Sequence, residues 1–133
     1  VRLSFVEPKS IFYIEDNTSN ILLLDAWLKP YPQINLSSQA DPLRGLYEIR
    51  AALPDIILLD INLPGIGGYE VLEILKADPR TTNIPVIALS AGAMTSDIEQ
   101  GLQKGFDEYL TKPLDMNRLL TAFNRFTARE TTN

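Results

Sequence analysis

Glu15 and Asp16 follow the apolar run "IFYI" (11–14), Asp60 ends "DIILLD" (55–60), Ser90 ends the run that starts "VIAL" at 86, and Lys112 follows "EYLT" (108–111). Gathered in one place, the carboxylates would repel, and each would resist ionising without a compensating cation. A hard divalent ion such as Mg2+ relieves that repulsion, prefers oxygen ligands and keeps several waters. Lys112 adds a positive charge suited to phosphate. A carboxylate is also a nucleophile toward phosphorus and gives an aspartyl-phosphate. The metal and Lys112 would then offset the charge that develops during phosphoryl transfer. Ser90 can donate a hydrogen bond to a phosphoryl oxygen, and the small residues "AGA" (91–93) leave room behind it.

For these groups to meet, separate segments must bring their ends to one edge. The pattern predicts strands at 11–14, 34–37 ("INLS"), 55–60, 84–89 ("IPVIAL") and 108–111. Between them lie amphipathic helices. Ser19 or a neighbour caps a helix with Ile21, Leu24 and Leu28 on one face, closed by Pro30 and Pro32. Asp41-Pro42 supplies an N-cap and a first-turn proline for a helix carrying Leu43, Leu46, Ile49 and Leu53. A third helix presents Val71, Leu72 and Leu75. Ser96 and Glu99 have capping-box spacing for a fourth, which ends near Gly105. Asp115 caps a fifth, bearing Met116, Leu119, Leu120 and Phe123. Strands alternating with helices imply a parallel sheet covered on both faces, and the unbroken "IILL" fits a strand buried on both sides. In such a sheet, ligands bind beyond the carboxyl ends of the strands, which is where the acids, Ser90 and Lys112 fall.

A chain of 133 residues is expected to form one domain. With no cysteine it has neither disulfides nor thiolate metal sites, and with no histidine it lacks the usual acid–base residue at neutral pH. The net charge of −5 argues against a nucleic-acid surface. The apolar runs are too short to cross a bilayer, and the composition fits a cytoplasmic protein without direct membrane contact. Because the chain starts at Val1 rather than Met, a domain cut from a longer protein is expected. "GIGG" (65–68) lacks the spacing and lysine of a phosphate-cradling loop. Trp27, Phe12 and Phe123 are assigned to the core or its rim.

With "IEDN", "LLDINLPG", "VIALSAGAM" and "YLTKP" in view, the chain resembles the receiver domain of two-component response regulators. The likeness covers residues 10–128 and leaves 1–9 as linker or tail and 129–133 as tail. The resemblance implies an α/β fold, a doubly wound, flavodoxin-like, five-stranded parallel sheet in the order 2-1-3-4-5 with five helices. It implies that Asp60 is the phosphoacceptor, and that Mg2+ is held by Glu15, Asp16, Asp60 and the backbone carbonyl of Asn62. It makes Ser90 and Tyr109 the switch residues and Lys112 the phosphate-binding lysine, with a cis bond to Pro113. Glu15 stands where aspartate is usual and adds a methylene to the metal geometry. Tyr109 also fits the plainer role of a half-buried strand tyrosine. "LSAGAM…GFDEYLTKPLD" is similar to receivers fused to hybrid sensor histidine kinases, and "VRLSF" to the last strand of a kinase ATP-binding domain.

The implied function is a phosphorelay switch. A histidine kinase or histidine phosphotransfer domain, in cis or in trans, donates from phosphohistidine to Asp60 with Mg2+, and the surface of helix 4, strand 5 and helix 5 responds. Such a domain is no enzyme in the ordinary sense, since it catalyses only its own phosphorylation and dephosphorylation. The helix 4–helix 5 face is also compatible with a homodimer. Two other classes use overlapping residues. A phosphatase of the haloacid dehalogenase type would want a second aspartate where Asn62 stands and a nucleophile on the first strand. A phosphorylation-independent pseudo-receiver would not need the intact acid set with Lys112.

Overall fold

The computed structural model describes residues 1–92 and 94–128. The expected tail 129–133, and Ala93 of the small-residue stretch, lie outside the described residues. The order of elements is β1 (Lys9–Ile14), α1 (Thr18–Leu28), β2 (Ile34–Gln39), α2 (Pro42–Ala52), β3 (Ile56–Asp60), α3 (Gly68–Ala77), β4 (Val86–Ser90), α4 (Thr95–Lys104), β5 (Glu108–Thr111) and α5 (Met116–Thr127). The strands form one parallel sheet in the order β2-β1-β3-β4-β5.

Period-two alternation divides the core into two layers. Ile11 and Tyr13 of β1, Ile56 and Leu58 of β3, and Ile87 and Leu89 of β4 face α1 and α5, where Leu24, Leu28, Leu119 and Phe123 cover them. Phe12, Ile14, Ile57, Leu59, Val86 and Ala88 face the other way, onto Leu46 and Ile49 of α2 and Val71, Leu72 and Leu75 of α3. Every residue of β3 is buried. A strand covered on both faces has no solvent side to mark with polar residues, which accounts for its unbroken apolar sequence. Phe12 and Phe123 belong to this core, and Trp27 is half-buried.

Local chemistry sets the helix ends. Of the caps the sequence allows, Ser19 or a neighbour, the neighbour Asn17 caps α1, accepting from Asn20 N at 3.1 Å. Asp41 caps α2, with Pro42 as its first residue. Asp115 caps α5 by accepting from Asn117 N and Arg118 N. The α4 helix begins two residues earlier than the Ser96–Glu99 spacing suggests: Met94 takes the cap position, and its N–H donates to Asp97. In α2 only half of the expected apolar face is buried. Leu46 and Ile49 are inside, but Leu43 is exposed, and Leu53 has left the helix in a left-handed conformation at φ 50°.

Residues 1–8 form no strand or helix, yet Leu3 and Phe5 pack against the α1/α5 layer. Asn124 of α5 holds this segment by its backbone, accepting from Ser4 N and donating to Arg2 O, each at 2.7 Å. No helix among the described residues is long and apolar enough to cross a membrane.

Candidate phosphoacceptor and metal site

Parallel pairing carries the ends of β1, β3, β4 and β5 to one edge of the sheet. Asp60 is the last residue of β3 and pairs with Leu89, while Ser90 pairs with Thr111. Glu15 follows β1 directly, and its N–H still donates to Gln39 O of β2. Lys112 follows β5 and is fixed by its own N–H, which donates to Ser90 O at 2.7 Å. The Lys112-Pro113 bond is cis, in line with the resemblance.

Glu15 is wholly buried, and its two oxygens are treated very differently. Oε1 accepts from the Tyr13 hydroxyl at 3.1 Å, Asn20 Nδ2 at 2.9 Å and Lys112 Nζ at 3.2 Å. Oε2 accepts only the Asn17 N–H, at 3.3 Å, among the hydrogen bonds described. Asp60, 3 % exposed, accepts from Asn62 N at Oδ1 (2.9 Å) and from Lys112 Nζ at Oδ2 (3.1 Å). Asp16 is exposed to solvent beside them. One carboxylate oxygen from each of Glu15, Asp16 and Asp60 lies within 4.8 Å of the others.

The electrostatics follow from that crowding. Burial opposes ionisation of Glu15, but hydrogen bonding to Asp60 and Asn20, the charge of Lys112 and the Asn17 N–H outweigh it and bring its pKa down to about 2. Asp60 moves the other way. Burial raises its pKa and the hydrogen bond shared with Glu15 raises it further, against the Asn62 N–H and Lys112. Burial works against the Lys112 ammonium, yet Asp60 and Glu15 raise its pKa overall. Two buried carboxyl groups thus share one ammonium, which is the arrangement of like charges that a further cation would relieve.

The donor set fits a small divalent ion. Mg2+ with bonds of about 2.1 Å in an octahedron has ligand oxygens roughly 3 to 4 Å apart, so oxygens already within 4.8 Å need little adjustment. All the donors are hard oxygens, and a solvent-facing Asp16 leaves space for retained waters.

Ser90 and Tyr109 lie next to this cluster. Ser90 is buried, and its Oγ accepts from Gly92 N at 3.0 Å. The Tyr109 ring is turned into the α2–α4 side of the core, and its hydroxyl donates to Gly92 O at 3.2 Å. The structure therefore brings Glu15, Asp16, Asp60 and Lys112 together, with Ser90 at the next strand end and Asn62 in the loop beyond Asp60. Sequence reasoning missed Tyr13, Asn20 and Asn17, which hold Glu15. The signal available for Tyr13 was a phenol in an apolar strand two residues before a carboxylate, hence on the same face of the strand.

Residues 11–124 match the model of the response regulator receiver domain. The chain is 39 % identical over 105 residues to the response regulator PleD of Caulobacter vibrioides, a match that covers 79 % of the chain. It spans only 23 % of the length of PleD. It is 34 % identical over 119 residues to the polar-differentiation response regulator DivK of Brucella anthropi, covering 90 % of this chain and 96 % of DivK. Among solved structures it is similar to the receiver domain of the sensor histidine kinase PA1611 from Pseudomonas aeruginosa, which has a magnesium ion coordinated in the active site cleft. That similarity has a TM-score of 0.80 at 29 % identity and covers 90 % of this chain and 97 % of the other. It is also similar to the Francisella response regulator 1452 receiver domain, with a TM-score of 0.83 at 27 % identity, covering 92 % and 98 %.

Proposed function

The chain belongs to the response regulator receiver domain family, and from that premise we propose that it accepts a phosphoryl group on Asp60, with Mg2+ held by Glu15, Asp16, Asp60 and the Asn62 carbonyl. As a receiver domain of two-component signalling it is a phosphoacceptor. The observation that carries the residue-level reading is the convergence of Lys112 Nζ on Asp60 Oδ2 at 3.1 Å and Glu15 Oε1 at 3.2 Å, at the mouth of an acid cluster.

In this reading a carboxylate oxygen of Asp60 attacks the phosphorus of a phosphohistidine, the new O–P bond forms as the N–P bond breaks, and the electron pair leaves with the imidazole nitrogen. When bound, Mg2+ would neutralise negative charge on the oxygens of the transferred phosphoryl group. Lys112 leaves its ion pair with Asp60 and pairs with a phosphoryl oxygen instead. Glu15 stays in place because Tyr13, Asn20 and Asn17 still donate to it. Ser90 Oγ, which accepts the Gly92 N–H, donates its own proton to a phosphoryl oxygen, and the surface of α4, β5 and α5 shifts its population in response. Beside Lys112, a mainly apolar groove of about 220 Å3, lined by Leu23, Trp27, Pro113 and Leu114 among others, is a place for a histidine-bearing partner domain to dock. The partner in this reading is a histidine kinase or histidine phosphotransfer domain, and the site of action is the cytoplasm.

The test is incubation with acetyl phosphate and Mg2+, with the mass of the intact chain as readout. A single phosphoryl adduct is expected, lost on treatment with EDTA beforehand and missing in Asp60→Asn. An adduct that persists in Asp60→Asn would remove Asp60 from this role.

A further inference from the structure

The α4 helix buries little of itself: Ile98 is only partly buried where it packs against the core layer that holds Tyr109. Among the described residues of α4, Gly101 alone is buried. A Cβ built on Gly101 would stand 2.5 Å from Cδ2 and 2.8 Å from Cε2 of Tyr109, closer than real atoms approach. The Cδ2–Cε2 edge of the ring takes the space that a side chain at position 101 would fill, and Tyr109 is only 7 % exposed. At the other end of the ring, a Cβ on Gly92 would stand 3.3 Å from the Tyr109 hydroxyl oxygen and 3.0 Å from Asp97 Oδ2. Gly92 joins two functional side chains through one residue, since its N–H donates to Ser90 Oγ and its carbonyl accepts from the Tyr109 hydroxyl.

A glycine in the middle of a helix is unfavourable compared with alanine. Gly101 has an ordinary helical conformation, so no special backbone angle calls for it. The space taken by Tyr109 does call for it.

We propose that Gly101 is the positioning residue for Tyr109: the side chain missing from α4 forms a slot that holds the ring inward before any phosphoryl group arrives, and the Gly92 peptide links that ring to Ser90. This rests on the reading of Ser90 and Tyr109 as the switch pair. Coupling between two events is reciprocal. If phosphorylation favours the inward ring, then holding the ring inward favours phosphorylation. The slot therefore keeps the chain ready to accept a phosphoryl group, while Ser90 Oγ, which accepts the Gly92 N–H, keeps its own proton to donate.

The experiment uses the 133-residue chain in four forms: parent, Gly101→Ala, Tyr109→Ala and the double variant. Gly101→Ala is expected to lower the melting temperature when Tyr109 is present and to raise it in the Tyr109→Ala background, where only the helix preference for alanine remains. A shift of the same sign in both backgrounds overturns the slot. With 3-fluorotyrosine incorporated and the Tyr109 resonance assigned through Tyr109→Phe, that resonance is expected to be protected from a soluble paramagnet in the parent without acetyl phosphate. It should be exposed in Gly101→Ala. Equal exposure in both also overturns the proposal. With Mg2+ and beryllofluoride as a phosphoryl mimic, Gly101→Ala should bind the mimic roughly fivefold more weakly or worse, and an unchanged affinity with a displaced ring overturns the coupling to Ser90. If the parent takes up no phosphoryl group at all, the reading of Asp60 fails, while the melting and fluorine measurements still decide the slot.

Discussion

Lys112 Nζ bridges Asp60 Oδ2, 3.1 Å away, and Glu15 Oε1, 3.2 Å away, so the lysine occupies the negative charge that a metal ion and a phosphoryl group would otherwise meet. Removing it has opposite consequences for the two ligands. Lys112→Ala should slow modification of Asp60 by acetyl phosphate roughly 100- to 1000-fold, the usual effect of deleting one donor to a developing oxyanion. The same variant should bind Mg2+ more tightly, because two buried carboxyl groups lose their only nearby ammonium among the ion pairs described. Calorimetric titration with Mg2+ alone separates the two effects. Weaker Mg2+ binding in Lys112→Ala would contradict the arrangement.

Asp60 is held in its less comfortable charge state by burial and by Glu15, which raise its pKa. The sign for stability follows. A carboxyl whose folded pKa lies above its unfolded value destabilises the fold once pH rises past the unfolded value, where the unfolded chain loses its proton first. Asp60→Asn should therefore raise the melting temperature in metal-free buffer near neutral pH. Excess Mg2+ should narrow or reverse the gap, because ligand at 100 times its Kd stabilises the parent by about 2.7 kcal/mol, and the variant lacks one of the three clustered carboxylates. Thermal unfolding with and without Mg2+ reads both.

Tyr13 is a phenol inside the core, 1 % exposed, with its hydroxyl on Glu15. Tyr13→Phe keeps the ring and deletes one donor to a buried carboxylate, and should destabilise the fold by about 1.5–3 kcal/mol. Denaturant unfolding at constant slope would measure it. A change within a few tenths would mean that Asn20, Asn17 and Lys112 satisfy Glu15 without the tyrosine.

Gly68 opens α3 directly behind Asp60. A Cβ there would stand 2.6 Å from Ile61 Cα and 2.9 Å from Asp60 O, both backbone atoms. Gly68→Ala must move the end of β3, so it should destabilise by about 1–3 kcal/mol and weaken Mg2+ binding as well, although helix preference alone favours alanine. Tight Mg2+ binding in this variant would show that the strand end tolerates the displacement.

Away from the site, Asp78 is hydrogen-bonded by Arg80 and lies near Arg50, which bring its pKa down from 3.8 to about 2. A depressed carboxyl contributes stability that is full above its unfolded value and is lost as pH falls through the folded one. Acid unfolding of the parent should therefore include a stability loss between about pH 4 and 2 that is missing in Asp78→Asn. Parallel acid titrations followed by circular dichroism make the comparison.

Much of this molecule could be read along the chain. Apolar runs punctuated by prolines and caps gave five strands and five helices in the observed order. The strand-end position of Asp60 and Ser90, with Glu15 and Lys112 just beyond, was visible because a parallel sheet sends its carboxyl ends to one edge. Helix starts were less legible. At α1 the sequence left Ser19 or a neighbour open and Asn17 takes the cap, since neighbouring polar residues satisfy the same rule, while at α4 Met94 with Asp97 displaced the Ser96–Glu99 pair. Leu43 and Leu53 sat at helical spacing but outside the buried stripe, because α2 covers the sheet along the narrower line of Leu46 and Ile49.

By itself the sequence determined which elements form and which edge of the sheet receives the acids, because periodicity and capping are properties of short stretches. Tertiary structure alone decided that Tyr13, Asn20 and Lys112 meet on a single oxygen of Glu15, and that Tyr109 fills the space left by Gly101. Those contacts depend on distances between residues up to 97 positions apart. Such distances are set by how layers of side chains pack, which no local pattern encodes.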